Sequence, residues 1–123
     1  MRLKRAGSGD SDRVSQEFLD FWSAHGAPHF RIEEEILLPA YARHADPTAE
    51  AIVRVLTDHV RIRERVDSIR AAGGLSVTEL NELGELLDSH VRHEERVLFP
   101  LIEAALPRDE LAELAAAIEA AER

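Results

Sequence analysis

The sequence contains one segment twice: HFRIEEEILLP at residues 29–39 and HVRHEERVLFP at residues 90–100. Six of the eleven positions are identical, and all six keep the same register. Each copy carries a histidine and a glutamate four residues apart, His29 with Glu33 and His90 with Glu94. On an α-helix such a pair lies on one face about one turn apart, so each copy presents an imidazole and a carboxylate to the same place. Two such helices that face each other would form a metal site.

Composition limits the classes of protein that this chain can belong to. Its 123 residues, 45% apolar and 32% charged, are typical of one soluble, folded domain. The net charge of -9 argues against nucleic acid as a partner, because phosphate binding depends on a basic surface. The absence of cysteine excludes disulfides, iron–sulfur clusters and thiolate zinc sites. Any bound metal must therefore be held by nitrogen and oxygen.

No apolar run is long enough to span a membrane, and the basic start of the chain is not followed by the apolar stretch of a secretory signal. We therefore expect a cytoplasmic protein with no membrane partner.

Apolar residues recur at helical spacing almost everywhere, which predicts an all-α protein. We expect a first long helix over residues 11–43, kinked near Gly26 and Pro28. A second helix should begin with Asp46 as its N-cap and Pro47 as its first residue, and end near residue 72 at Gly73-Gly74. A third should begin at a capping box over residues 76–79 and continue to about residue 106, and a short fourth should span Arg108–Ala121. Three long helices and a short one indicate a helical bundle.

Several ionisable residues fall on helix faces that are otherwise apolar, in the sequence positions that a bundle must bury. They are His25, His29, Glu33, His59, His90 and Glu94. Burial of unpartnered carboxylates and imidazoles costs several kcal/mol each, so something must compensate these groups. A metal ion does so, and iron, manganese and zinc all accept this ligand set. A metal-free network of His–Glu hydrogen bonds is the alternative.

Neighbouring polar residues are weaker candidates. Glu34 and Glu95 follow the predicted ligands directly and could orient or replace them, whereas Glu35 is expected to be a solvated charge. Arg63 is either a surface charge or a partner for a ligand carboxylate. We expect structural or surface roles for His44 and His93.

A repeated H-x-x-x-E-E followed by an apolar pair and proline, with Asp58-His59 on the helix between, resembles the hemerythrin-like (HHE) cation-binding family. The resemblance covers the chain from about residue 11 to residue 106. It implies an up-down four-helix bundle that encloses a non-haem di-iron centre bridged by carboxylates and oxygen. Carried over by position, the resemblance implies that the ligands are His29, Glu33, His59, His90 and Glu94, with Glu33 and Glu94 as bridges. His25 belongs to the same face.

One departure from the family concerns its first helix, which supplies an early histidine ligand, whereas this chain has no histidine before His25. We therefore expect residues 1–10 to be the remnant of that helix and a flexible linker, and residues 11–123 to be the hemerythrin-like domain. The bundle would then expose an apolar seam, and we expect a homodimer that covers it. The metal site would have an open side and could be mononuclear, partly occupied or empty.

The resemblance implies a metal-binding protein that binds or senses oxygen, nitric oxide or iron. The alternatives are a di-iron oxidase or peroxide-consuming enzyme, and a metal-free helical interaction domain. We favour a role without catalysis, but the sequence hardly separates it from an enzyme, since no nucleophile, phosphate-binding loop or substrate pocket can be read beyond the ligands. A ferritin-like site is excluded, since no histidine has a glutamate three residues before it. A zinc peptidase is excluded because Val97 stands where its second histidine would be needed.

Overall fold

The computed structural model describes residues 11–123 and contains four helices within them. Helix α1 spans residues 11–42, α2 spans Glu50–Ala72, α3 spans residues 77–105 and α4 spans Arg108–Ala121. No strand occurs in this part of the chain, so the predicted all-α bundle is confirmed. None of the described helices is long and apolar enough to cross a membrane. The predicted helix remnant and linker fall on residues 1–10, outside the described residues.

Local signals explain the end of α2 and the start of α3. Gly73 ends α2 with a left-handed φ of 79°, a conformation that glycine adopts without steric cost. The hydroxyl of Ser76 accepts a hydrogen bond from the Glu79 backbone N–H, and the Glu79 carboxylate accepts one from the backbone N–H of Ser76. This is the predicted capping box at the start of α3.

The predicted start of α2 is wrong. Asp46 does not cap a helix that begins at Pro47; its carboxylate accepts hydrogen bonds from the backbone N–H and the hydroxyl of Thr48, at 2.8 and 2.6 Å. Such a local bond stabilises a turn in competition with a helix. The helix begins only at Glu50.

Three wide π-turns interrupt the long helices, at Trp22–Gly26, Glu33–Leu37 and Glu94–Leu98. Each ends two residues before a proline, Pro28, Pro39 or Pro100. Proline has no N–H to donate, and its ring collides with the carbonyl four residues earlier. In each turn the residue before the proline donates its N–H to the carbonyl five residues back, and the chain stays helical past the proline.

The π-turns shift the buried face by one residue relative to an unbroken α-helix, which corrects part of the sequence prediction. Val97, expected inside, is 46% exposed, and Leu98 is fully buried instead. After the first π-turn Phe30 takes the buried position, whereas His25 and His29, both expected inside, are exposed. On α2, Leu56 is also exposed, because the neighbouring helices contact the face that carries Val55.

The core consists of two apolar clusters with a polar layer between them. One cluster contains residues such as Phe18, Phe30, Ile62, Val66 and Leu83, and the other contains Leu37, Val55, Leu98 and Ile102. Helices α1 and α3 pass from the first cluster to the second, whereas α2 passes from the second to the first. Helices α1 and α3 therefore run in the same direction, and α2 runs opposite to both. The polar layer consists of the buried residues Glu33, Asp58, His59, His90 and Glu94.

Helix α4 packs against α1 and α3 through Leu111, Leu114 and Ile118, which join the second apolar cluster. The predicted seam is therefore partly covered by the chain itself. Within residues 11–123 an opening of about 640 Å³, the α1–α3 groove, remains; its lining includes Phe21, His25, His29, Leu87, Val91 and Glu94.

Candidate metal centre

Four of the six predicted ligands meet in the polar layer. Glu33, His59, His90 and Glu94 each offer one ligand atom, and these atoms all lie within 4.8 Å of one another. All four side chains are buried, with relative exposures between 1 and 5%. The two copies of the repeat supply three of them, and α2 supplies the fourth, as the sequence predicted.

His59 contacts a carboxylate with each of its ring nitrogens. Its Nε2 lies 2.9 Å from Oε1 of Glu33, within the cluster, and its Nδ1 lies 2.7 Å from Oε2 of Glu34. The guanidinium of Arg63 donates to both oxygens of Glu34, at 2.7 and 3.1 Å. A carboxylate on Nδ1 fixes the orientation of an imidazole and leaves Nε2 for the metal. Glu34 therefore orients His59, and Arg63 is the partner of that carboxylate.

His90 has the same arrangement with different residues. Its Nδ1 lies 3.1 Å from Oδ2 of Asp58, and its Nε2 lies 3.4 Å from Oε2 of Glu94. The guanidinium of Arg54 approaches the same Asp58 oxygen at 3.6 Å. Asp58 was not among the predicted site residues. Helical spacing could have indicated it, because Asp58 lies three residues after Val55 and four residues before Ile62, and both of these belong to the buried face of α2.

Phe30 closes one side of the cluster. Its ring stacks on the His59 imidazole, with centroids 3.7 Å apart, and meets the His90 ring edge-on at 5.6 Å. The packed ring restricts both imidazoles to their observed orientations and keeps water from that side. Periodicity in the sequence did not reveal this role, because the π-turn at Trp22–Gly26 is what turns Phe30 inward.

Three buried polar atoms in the cluster form no hydrogen bond of normal geometry: Oε2 of Glu33, Nε2 of His90 and Oε2 of Glu94. His29 Nε2 lies 3.2 Å from the first, and the other two lie 3.4 Å from each other. Buried polar groups in folded proteins nearly always have partners, because an unpaired one costs about 1–3 kcal/mol. A cation bound among these atoms would satisfy all three at once. Two imidazole nitrogens and two carboxylate oxygens suit iron, manganese or zinc. The residues therefore fit a metal ion.

The pKa values of the two carboxyl groups in the cluster are shifted in opposite directions. Burial favours a raised pKa at Glu33, but its polar contacts with His29, His59 and Glu94 outweigh burial and lower the pKa far below the usual range. Burial raises the pKa of Glu94; the contact with His90 opposes this rise and the contact with Glu33 adds to it. Two carboxyl groups this close resist simultaneous ionisation unless a cation lies between them.

The remaining predicted ligands lie on the solvent side of the cluster. His29 is 53% exposed, with Nε2 3.2 Å from Oε2 of Glu33, and this contact raises its pKa. His25 is exposed on the wall of the α1–α3 groove, where its ring lies 5.7 Å from that of Phe21. The structure thus brings His29 to the edge of the cluster and leaves His25 outside it.

The other polar candidates have structural contacts. His93 lies with Nε2 3.0 Å from the carbonyl of Ala51, and His44 pairs with Glu110 of α4. Glu35 and Glu95 are exposed.

Comparison with known protein families agrees with this geometry. The family model described as the hemerythrin HHE cation binding domain matches residues 2–102 of the 123-residue chain. The chain belongs to the hemerythrin HHE family. Searches among curated proteins and among solved structures find no significant match.

The hemerythrin match extends over the whole polar layer and both copies of the repeat, and ends within α3. The last part of the chain, including α4, lies beyond the matched region. Membership of the hemerythrin family therefore does not explain the role of α4.

Replacing the carboxylate of Asp58 with an amide tests its role as the partner of His90. Asp58→Asn keeps the side-chain shape but removes the charge that holds the imidazole, so we expect about a tenfold loss of metal affinity with unchanged helix content. The measurement is a calorimetric titration of metal-free protein with Fe²⁺ under anaerobic conditions. Asp67→Asn, on an exposed position of the same helix, is the control. Equal affinities of the two variants would contradict the role.

Glu94→Gln should separate stability from metal binding. In the metal-free protein the substitution removes one of two buried, facing carboxyl groups, and we expect it to raise the free energy of unfolding by about 1–2 kcal/mol. It should also abolish the stabilisation that added metal gives to the original protein. Urea denaturation with and without metal measures both effects, and Glu95→Gln is the exposed control. A less stable metal-free variant would show that the charge of Glu94 already has a sufficient partner.

Proposed function

We propose that this protein binds non-haem iron as a pair of ions, with Glu33 and Glu94 shared between them and His59 and His90 as the buried nitrogen ligands. His29 is the fifth ligand, at the edge of the cluster. His25 is the outermost candidate, because it lies one turn before His29 and lines the same groove. Manganese and zinc accept the same donors.

The main support is that three buried atoms able to bind a metal, two carboxylate oxygens and one imidazole nitrogen, form no hydrogen bond of normal geometry and belong to the same four-residue cluster. A metal-free network, the alternative, would be expected to join these atoms in hydrogen bonds of normal geometry, whereas His90 Nε2 and Glu94 Oε2 lie 3.4 Å apart without forming one. The carboxylates of Glu34 and Asp58 on the outer nitrogens support the proposal, since such partners orient histidines toward metals.

The biological task that fits this centre is to bind or sense oxygen, nitric oxide or iron in the cytoplasm. A reduced iron pair would supply reversible affinity for a diatomic ligand. The protein supplies the buried environment, with Phe30 on one side of the imidazoles and an apolar cluster above and below.

A second candidate is an oxidase or peroxide-consuming enzyme that uses the same centre. The α1–α3 groove favours it, since about 640 Å³ admits molecules larger than a diatomic ligand, and its lining includes His90 and Glu94. Peroxide consumption by the iron-loaded protein, lost in His90→Ala, would support the enzyme over the sensor.

Metal analysis tests the proposal. Protein purified after growth with added iron should contain about two irons per chain and show a charge-transfer absorption band in the near ultraviolet. His90→Ala should lower the metal content sharply, because it removes a buried ligand, whereas His93→Ala should not. If the protein stays free of metal after anaerobic reconstitution with Fe²⁺, Mn²⁺ and Zn²⁺, the metal proposal is wrong and the metal-free interaction domain is favoured.

We also propose that two copies associate through exposed apolar side chains at the edge of the α1–α3 groove, Phe21 and Val91, which are 44% and 47% exposed. Size-exclusion chromatography with light scattering at micromolar concentration should show a dimer. Val91→Asp should give a monomer, because it introduces a charge into the interface. Val60→Asp, on a 66% exposed position of α2 outside the groove, should leave the dimer intact. A wild-type monomer would contradict the proposal.

A further inference from the structure

A second opening, beside the α1–α3 groove, lies between α4 and the rest of the bundle. This α4 cleft has a volume of about 260 Å³, and apolar side chains from three helices form most of its wall: Ile32, Leu37, Phe99, Ile102, Leu114 and Ile118. Helix α4 supplies its outer wall. A diatomic molecule or a small hydrocarbon fits easily, because one water molecule occupies only about 30 Å³ of liquid.

The α4 cleft reaches the four-residue cluster at Glu33. His29 and Glu33 are among its lining residues, and Oε2 of Glu33 is one of the three buried atoms that form no hydrogen bond of normal geometry. The cleft and the α1–α3 groove share His29, Ile32 and Glu122, so the two openings adjoin at the edge of the cluster.

The two openings differ in chemistry. The wall of the α4 cleft offers few polar groups, and its charged members are carboxylates, Glu33, Glu103 and Glu122, beside His29. An anion would lose its hydration there and meet negative charge. A small neutral, apolar molecule has no charge to dehydrate and is not repelled by the carboxylates, and it gains contact with the apolar wall. The α1–α3 groove, by contrast, also carries His25, His90 and Arg123.

We propose that the α4 cleft is a binding site for small, neutral, apolar molecules beside the cluster of Glu33, His59, His90 and Glu94. We further propose that it is the path by which such ligands reach the centre. The first statement concerns the protein without metal; the second rests on the proposed function. Helix α4 then has a task of its own, since it turns an exposed face of α1 and α3 into an apolar cavity.

The metal-free protein tests the binding site directly, with xenon as the probe, because dry apolar cavities bind this gas. Methyl NMR under xenon pressure should show saturable shifts at Ile102, Leu114 and Ile118, and much smaller shifts at Ile69 in the other core cluster. Ile118→Trp should abolish the saturable shifts by filling the cleft. Ala116→Trp, on an exposed position of the same helix, should keep them. Shifts of equal size at Ile69 and Ile118 in the wild-type protein would overturn the proposal.

The iron-loaded protein tests the path, with nitric oxide as the neutral probe and azide as the anionic one. Stopped-flow absorption should show about a tenfold slower association of nitric oxide with Ile118→Trp than with Ala116→Trp. Azide should associate at the same rate with both. Ile118→Ala should keep or increase the nitric oxide rate. Unchanged nitric oxide rates, or equal slowing of both ligands, would overturn the path. Failure to load iron would count against the proposed function, while the xenon result would still decide the binding site.

Discussion

The structure depends on one constraint, which is that two carboxylates and two imidazoles are buried in a single layer between two apolar clusters. The side chains of Glu33, His59, His90 and Glu94 are almost inaccessible to water. Low-polarity surroundings strengthen attraction between opposite charges and also raise the cost of any charge or dipole left unpaired. Part of that cost is met by Glu34 and Asp58 on the outer nitrogens. The three inner atoms without a hydrogen bond of normal geometry are the part that a cation would meet.

Proline placement gives the helices the phase that this layer requires. Each copy of the repeat has a π-turn that begins at its glutamate and ends two residues before its proline. The wider turn directs Glu33 and Leu37, or Glu94 and Leu98, into the bundle one turn apart. An insertion of this kind is a frequent feature of functional sites in helices. The repeat therefore encodes the ligand positions and the backbone irregularity together.

The sequence predicted the helix count, the capping box at Ser76 and the four residues that converge. It could do so because periodicity and capping are local signals, and because a repeated His–Glu pair is rare on a buried face. The prediction of burial was wrong at Val97, His25 and His29, because a π-turn inserts one extra residue and rotates the helix. The sequence also offered no account of Phe30, Asp58 or the cleft under α4, since these depend on which helix faces meet and not on any one segment.

The proposed function depends on the binding of iron among Glu33, His59, His90 and Glu94. The most direct measurement is a crystal structure of the iron-reconstituted protein with diffraction data collected above and below the iron absorption edge. We expect anomalous peaks for a pair of irons among these side chains, within coordination distance of His59 Nε2, His90 Nε2 and carboxylate oxygens of both glutamates. A map without such peaks, in which these atoms are bonded only to one another or to water, would contradict the proposed function.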